Sequence, residues 1–184
     1  MSDSEPDAKL TTSAPEPIIV VPYDSDWPRQ FQREAAAVRS ALGELLLGIE
    51  HVGSTAVSGL AAKPIIDLIA YVPAFNDGFA CVAPLAALGY ESEGEYGIEG
   101  RHYFRRYEDD VTTHHLHMYA RDDAPTRHEI VFRDFLLAHP KVAREYATLK
   151  DALAARHRHE RVAYTEARTD FITDVLRRAA ASQP

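Results

Sequence analysis

One segment of the N-terminal half, residues 51–72, most restricts what this chain can fold into. In this segment a short strand ends at Gly53-Ser54, a run of small residues follows, and a second strand carries Asp67. A glycine followed by a serine lets backbone N–H groups approach a phosphate closely. An acid on the neighbouring strand can hold a metal ion beside that phosphate. The segment therefore predicts a phosphate site next to a divalent cation.

The strand that carries Asp67, residues 65–72, is apolar on both faces. Such a strand is typical of the interior of a sheet that is covered on both sides. A lone carboxylate there costs free energy unless it is paired or holds a cation. We therefore expect Asp67 to bind a metal or a substrate, or else to pair with Lys63, Arg105 or a histidine.

The composition is that of a globular protein of 184 residues, with 46% hydrophobic and 26% charged residues. This length allows one domain with a good core, with or without a small helical appendage. The chain has no apolar run of about 18 residues, as a membrane span would require. The polar, acidic segment 1–16 lacks the pattern of a signal peptide, and the single cysteine, Cys81, cannot form an internal disulfide. We therefore expect a cytoplasmic protein.

The formal net charge of −8 argues against non-specific binding of nucleic acid, which requires a basic surface that releases counterions. It leaves open a local basic pocket, and Arg101, Arg105 and Arg106 are close enough in sequence to build one. The apolar helical C-terminus is compatible with a homodimer, although a stripe that faces the domain's own core has the same pattern.

Hydrophobic periodicity predicts strands and helices in an order typical of an α/β fold. We expect a disordered tail over residues 1–17, one folded domain over residues 18–180, and helices from about residue 126 onwards. The first predicted element is a helix with an apolar stripe from Trp27 to Leu45 and with Gly48 just past its end. Strands 49–52 and 65–72 follow, then a helix capped by Asn76 and ended by Gly89, then strands 101–107 and 111–120 around a turn at 108–110. The C-terminal part is predicted as a helix that has a Thr126/Glu129 capping box and breaks at His139-Pro140, a helix over 142–153 and a last helix over 164–176.

Two histidines, His115 and His117, alternate on the return strand of the predicted hairpin. Side chains two positions apart lie on the same face of a strand, so parity permits Asp67 and this pair to share a face. Alternating histidines are good metal ligands or acid–base groups. The alternative is a hydrogen-bonded polar face on the strand.

Several motifs strongly resemble the GrpB family. They are His51-Val-Gly-Ser-Thr-Ala-Val57, Gly59-Leu-Ala-Ala-Lys-Pro-Ile-Ile-Asp67, His114-His-Leu-His117 and Phe132-Arg-Asp-Phe-Leu136, and the resemblance runs from about Ile18 to Leu176. The resemblance implies the nucleotidyltransferase superfamily, with an α/β (α+β) fold: a mixed sheet of about five strands flanked by helices, and a C-terminal helical segment. The family also occurs fused to dephospho-coenzyme A kinase, which implies an association with the coenzyme A pathway.

The chain departs from the superfamily pattern, in which a second acid alternates with the first and a third lies on a later strand. Ile69 stands at the second position, and His115 or His117 lies roughly where the third is expected. Ser58 stands where the family more often has proline. Transfer with two metal ions needs bridging carboxylates. Imidazoles, moreover, favour zinc, manganese or iron over magnesium.

The resemblance and the residue types together give a set of candidate site residues. Asp67, His115 and His117 would hold a divalent metal, magnesium or manganese or else zinc, and would take part in catalysis. The candidate phosphate-binding residues are His51, Gly53, Ser54, Lys63, Arg101 and Arg105. Each also has a structural alternative: a tight strand exit for Gly53-Ser54, support of that turn for His51, a solvated lysine for Lys63, and surface ion pairs for the arginines.

The favoured hypothesis is a nucleotidyltransferase-like protein that binds a nucleotide or another phosphorylated metabolite beside a divalent cation and transfers a nucleotidyl group to a hydroxyl acceptor. Ile69 in place of the second acid favours an alternative, a non-catalytic nucleotide or metabolite sensor. A further alternative is a metal-dependent hydrolase that uses Asp67 and the two histidines.

Overall fold

The computed structural model describes residues 17–121 and 125–182, with the backbone alone for residues 125–127. The helices are α1 (Trp27–Leu42), α2 (Gly78–Ala87), α3 (Pro125–Ala138), α4 (Pro140–Arg156), α5 (Arg161–Glu166) and α6 (Thr169–Ala181). The strands are β1 (Gly48–Val52), β2 (Ile66–Val72), β3 (Tyr90–Ser92), β4 (His102–Glu108) and β5 (Val111–Ala120). Short 3₁₀ turns lie at Gly43–Leu45, Ser54–Ala56 and Phe75–Asp77. The predicted tail, residues 1–17, lies outside the described residues except for Pro17.

The strands form one mixed sheet in the order β1-β2-β5-β4-β3. Strands β2 and β5 pair in parallel, and every other neighbouring pair is antiparallel. The parallel pair lies inside the sheet rather than at its edge, as the apolar sequence of β2 predicted. This five-stranded mixed sheet, flanked by helices and followed by a helical C-terminal part, confirms the predicted α/β fold class.

One face of the sheet forms the main hydrophobic core. The apolar stripe of α1, with Trp27, Phe31 and Val38, packs on Leu68 of β2 and Leu116 of β5. Burial of this stripe is the main reason for the helix to form here, because tertiary packing of an amphipathic face outweighs intrinsic propensity. The core helix therefore covers the face opposite to Asp67, since alternate strand residues point to opposite sides.

The run of small residues after Gly53-Ser54 packs against the C-terminal helices. Val57 and Leu60 are buried in one cluster with Phe135 of α3, Tyr146 of α4 and Val175 of α6. The neighbour of this run is therefore the helical C-terminal part. The Gly-Ser turn and the C-terminal helices thus lie side by side.

Two helix boundaries differ from the prediction because of local backbone geometry. Helix α1 ends at Leu42, where Gly43 takes φ +53° and its N–H bonds to the carbonyl of Arg39. Gly48, which was predicted to follow this helix, instead begins β1. The predicted last helix is two helices, α5 and α6, with a break around Ala167 and Arg168.

The starts of α2 and α3 were both predicted from capping residues. Asn76 is not the cap of α2: it lies in a 3₁₀ turn in which the Ala74 N–H donates to the Asp77 carboxylate at 2.9 Å. Helix α3 begins at Pro125, and the side chain of Thr126, on which the capping-box prediction depends, lies outside the described residues. Across the described helices, none is both long enough and apolar enough to cross a membrane.

Candidate functional site

The candidate site begins with three side chains on the face opposite to α1. In the parallel β2–β5 pair, Asp67 lies opposite His115 and Ile69 lies opposite His117. Alternation along each strand puts all three polar side chains on one face, as strand parity allowed. Their potential ligand atoms all lie within 4.8 Å of one another. Asp67, His115 and His117 therefore have the mutual separation that a metal site requires.

Asp67 and His115 form a hydrogen-bonded pair. The Nδ1 atom of His115 lies 2.9 Å from Oδ1 of Asp67. Burial favours the protonated acid, but the hydrogen bond from His115 and the nearby basic groups together outweigh it and lower the pKa of Asp67 below its ordinary value. An ionised Asp67 can only accept, so His115 donates from Nδ1. In the neutral imidazole the other ring nitrogen, Nε2 of His115, carries the lone pair, and among the described residues it is buried without a hydrogen-bond partner.

His117 contacts a different partner, the guanidinium of Arg101. Nη1 of Arg101 lies 3.2 Å from Nδ1 of His117. Burial lowers the pKa of His117 to about 4, which makes the ring neutral at pH 7. The His117 side chain lines two adjoining cavities of the site.

Gly53 lies very close to Asp67, whereas the sequence predicted a close approach of this turn to a phosphate. Gly53 has φ +71° and ψ −170°, a backbone region that is essentially restricted to glycine. A Cβ atom at this position would lie 2.3 Å from Oδ2 of Asp67. The absence of a side chain at residue 53, just after the end of β1, therefore leaves the space that the Asp67 carboxylate occupies.

Ser54 is held by a lysine that sequence reasoning missed. Nζ of Lys150, on α4, donates to Oγ of Ser54 at 2.9 Å and to the carbonyl of Ala61 at 2.5 Å. Lys150 is only 2% exposed. Burial, and then the nearby Arg168, lower its pKa to about 7. The available sequence signal was a lysine four residues after Tyr146, on the buried stripe of a predicted helix.

These residues surround a cavity of about 370 Å³. Its charged lining comprises four basic residues, Lys63, Lys150, Arg161 and Arg168, and two acidic residues, Asp67 and Glu129. Ser54, His115 and His117 are among its uncharged polar lining residues, with Thr55, Tyr164 and Thr165. The cavity is therefore positively charged in a chain whose net charge is −8. Lys150, Arg161 and Arg168 of the C-terminal part supply most of the basic groups of this cavity, and Arg101, Arg105 and Arg106, which the sequence offered for a local basic pocket, are absent from its described lining.

Comparison with known proteins identifies the family. The family model described as GrpB protein matches residues 17–178. The chain belongs to the GrpB family. A crystal structure of the conserved protein GrpB from Enterococcus faecalis has a TM-score of 0.82 and 36% identity, and the match covers 88% of this chain and 96% of that one.

Other proteins are similar to this chain in sequence over most of its length. A UPF0157 protein of Pseudomonas aeruginosa is 43% identical over 168 residues, which is 90% of this chain and 69% of that protein. A dephospho-CoA kinase of Mycolicibacterium paratuberculosis is 30% identical, and the match covers 89% of this chain but only 46% of the kinase. The MgGTP-bound Cid1 poly(U) polymerase is a distant structural match, with a TM-score of 0.49 and 12% identity over 71% of this chain and 42% of that one, and nothing about this chain follows from it.

Glu129 of α3 is a second residue of the site that the sequence did not predict as a site residue. It was predicted as a capping-box partner, but it lines both the main cavity and the adjoining cavity of about 280 Å³. Its Oε2 atom is buried and has no hydrogen-bond partner among the described residues. Burial, and then the charge of Asp67, raise its pKa to about 7. The sequence contains no signal for this role, since a glutamate near the start of a predicted helix is ordinary.

Three predicted phosphate ligands are absent from the described lining of the main cavity. His51 points to the α1 side, where its ring stacks on Phe31 and its Nε2 lies 3.0 Å from Oγ1 of Thr55. Arg105 forms an ion pair with Glu93 at 3.2 Å, and Arg101 contacts His117. By contrast, Ser54 and Lys63 line the main cavity, and Gly53 and Ser54 line the adjoining one. A phosphate role for His51, Arg101 and Arg105 stays a prediction.

The site fits a divalent cation only in part. The separation of Asp67, His115 and His117 is suitable, and the buried lone pair on Nε2 of His115 is the kind of donor that binds a metal. Its Nδ1–H bond to Asp67 is the usual support of a ligating imidazole by a carboxylate. His117 is different, because its Nδ1 faces a cationic donor, Arg101. One imidazole with its carboxylate therefore fits a cation, whereas the complete set of three does not.

Proposed function

We propose that this protein binds a nucleotide or another phosphorylated metabolite in the cleft beside Ser54 and Asp67, as a nucleotidyltransferase-like protein that can transfer a nucleotidyl group to a hydroxyl acceptor. The convergence of Lys63, Lys150, Arg161 and Arg168 on one cavity carries the proposal. A lining with four basic and two acidic residues suits a polyanion, in a chain whose net charge is −8.

Each part of the cleft has a chemical role in this proposal. Lys150 holds Ser54 in place and, with Arg168, neutralises charge on the phosphates. Gly53 lets the turn approach both Asp67 and the ligand. A divalent cation would be held at Nε2 of His115, with Asp67 orienting the ring, and would supply further charge neutralisation. An imidazole donor favours zinc or manganese over magnesium.

A second candidate function is a metal-dependent hydrolase. The Asp67–His115 pair favours it, because the carboxylate orients the imidazole and leaves a buried acceptor nitrogen. In that reaction water replaces the hydroxyl compound as the nucleophile. Ile69, where the superfamily pattern has an acid, favours binding without turnover.

A thermal-shift panel tests the proposal. We would combine nucleoside triphosphates, inorganic pyrophosphate and coenzyme A precursors with magnesium, manganese or zinc; the precursors are included because a relative is named dephospho-CoA kinase. A ligand at about 100 times its dissociation constant stabilises the folded state by about 2.7 kcal/mol, which is a readable shift. We expect a shift with a phosphorylated ligand in the wild type that is lost in Lys150→Met and Asp67→Ala.

Lys141→Met is the matched control, because Lys141 lies on the same helix, α4, but is exposed to solvent. It should respond to the ligand as the wild type does. Absence of any shift with phosphorylated ligands would contradict the proposal. Release of inorganic phosphate from a shifting ligand, without any hydroxyl acceptor, would favour the hydrolase.

A further inference from the structure

Arg101 is held rigidly beside His117. It is 5% exposed, although it carries a full charge. Its Nη2 donates to the carbonyl of Tyr96 at 2.8 Å, and its Nε donates to the carbonyl of Glu95 at 3.2 Å. Its guanidinium also lies over the Tyr103 ring, 4.6 Å from the centroid. These contacts fix the third donor, Nη1, toward Nδ1 of His117.

The contact with Arg101 determines which nitrogen of His117 carries the proton. A guanidinium has five N–H donors and no acceptor, so Nδ1 of His117 must accept. A neutral imidazole has a single N–H, which therefore lies on Nε2. A metal binds a nitrogen lone pair, and in His117 the one lone pair already faces a cation.

The neighbouring histidine has the opposite arrangement. His115 donates from Nδ1 to Asp67, so the lone pair of its neutral form lies on Nε2. The centroids of the His115 and His117 rings are 6.4 Å apart, and both side chains line the main cavity. One histidine of the pair therefore offers an acceptor and the other offers a donor, although both were predicted as metal ligands.

We propose that His117 is a hydrogen-bond donor to an anionic oxygen of the ligand and not a metal ligand, with Arg101 as the positioning residue that fixes its tautomer. The His117 side chain lines the main cavity, and Nε2 is the ring nitrogen that the contact with Arg101 leaves for a ligand there. The basic lining of that cavity favours an anion at this point. The identification of the anion as a phosphate rests on the proposed function, but the tautomer of His117 does not.

The first test is the tautomer itself, measured by ¹⁵N NMR of the imidazole nitrogens in the full chain at pH 7 and without ligand. We expect a protonated Nε2 and an unprotonated Nδ1 for His117, and the reverse for His115. Arg101→Met should remove the preference at His117 and leave His115 unchanged. A protonated Nδ1 in wild-type His117 would overturn the proposal.

The second test separates metal binding from anion binding by calorimetry, with zinc alone and with inorganic pyrophosphate alone. In His117→Ala we expect zinc affinity within about twofold of the wild type and pyrophosphate affinity about tenfold weaker. His117→Gln should recover most of the pyrophosphate affinity, because its amide can donate from a similar position. His115→Ala is the comparison variant and should lose zinc affinity.

Equal loss of zinc affinity in His117→Ala and His115→Ala would overturn the proposal. If pyrophosphate and nucleotides bind to no variant, the phosphate function is wrong, and the NMR result then decides the tautomer assignment by itself. If His117→Ala does not fold, His117→Gln gives the answer, because it keeps side-chain volume and the donor but cannot provide an imidazole to a metal.

Discussion

At the scale of single residues, the contact between Gly53 and Asp67 is the tightest constraint in the site. The two residues belong to different strands, and the missing side chain of the glycine leaves room for a carboxylate oxygen. Two independent requirements fall on one position: a backbone conformation that glycine adopts at no steric cost, and a space that no Cβ can occupy.

Replacement of Gly53 by alanine should therefore be costly. We expect Gly53→Ala to lower the free energy of unfolding by about 1–3 kcal/mol from the backbone conformation, with a further loss from the collision with Asp67. Urea denaturation measures the loss. Gly59→Ala is the control, because Gly59 has φ +77° but nothing within 4 Å of its Cβ position. Equal losses in the two variants would contradict the role of the collision.

Lys150 gives a second prediction at this scale, through pH. Its pKa falls from about 10.5 in the unfolded chain to about 7 in the folded one, because burial disfavours the charged form. The unfolded state thus binds more protons between these values, so the free energy of unfolding rises with pH. Between about pH 7 and about pH 10 we expect the free energy of unfolding of the wild type to rise relative to that of Lys150→Met.

Denaturation curves at several pH values measure that difference. The slope should not exceed about 1.4 kcal/mol per pH unit for one titrating group. Lys141→Met should show no such trend against the wild type, because Lys141 is exposed on the same helix. Parallel pH profiles for wild type and Lys150→Met would show that Lys150 keeps its ordinary pKa.

At the scale of elements, the site is made by β2 and β5 on one side and by the C-terminal helices on the other. The strands present Asp67 and the two histidines at adjacent register positions. Helix α4 presents Lys150 to the Gly-Ser turn. The hairpin from β4 to β5 determines the position of the histidine strand, so its turn affects the geometry of the site.

The turn of this hairpin is not optimal for its backbone. Asp109 and Asp110 have φ values of +49° and +63°, as the two central residues of a type I′ turn require. An Asp-Asp pair adopts these positive φ values less readily than an Asn-Gly pair does, and two adjacent carboxylates repel each other. We expect the double variant Asp109→Asn/Asp110→Gly to raise the free energy of unfolding by about 1 kcal/mol in urea denaturation.

A control separates backbone geometry from charge. Asp109→Ala/Asp110→Ala removes the same two charges but keeps β-carbons in the left-handed region, so it should be less stable than the Asn-Gly variant. If both double variants gain the same stability, charge repulsion and not backbone geometry explains the effect.

At the scale of the whole molecule, charge is distributed unevenly. The chain has a net charge of −8, whereas the lining of one cavity of about 370 Å³ contains four basic residues and two acidic ones. A small polyanion can enter such a cavity. A nucleic acid requires an extended basic surface from which many counterions are released.

We therefore expect the protein to bind inorganic pyrophosphate but not a single-stranded homopolymer. Fluorescence anisotropy of a labelled oligonucleotide, at about 0.15 M salt, should detect no binding up to about 10⁻⁴ M protein, the upper end of typical non-specific dissociation constants. Pyrophosphate binding in the same buffer serves as the positive control. A salt-dependent anisotropy change would contradict this distribution of charge.

Sequence alone determined much of the fold, because periodicity depends on local geometry. The strand β5 was predicted with its observed bounds, and the predicted strand parity of Asp67, His115 and His117 agrees with the register. Boundaries were less certain where a single backbone angle decides, as at Gly43, or where a helix breaks without proline, as near Ala167. These depend on packing that a one-dimensional pattern does not contain.

The sequence by itself also determined the strand half of the site, because Gly53-Ser54 and Asp67 lie close together along the chain and are linked by the pairing of consecutive strands. Only the tertiary structure decided the other half. Lys150 lies 96 residues from Ser54, and it reaches the turn because α4 packs on the segment that contains Val57 and Leu60. The proton positions on His115 and His117 likewise depend on Asp67 and Arg101, which come from other strands or their ends. A hydrogen bond depends on distance in space, and sequence separation does not limit that distance once the chain has folded.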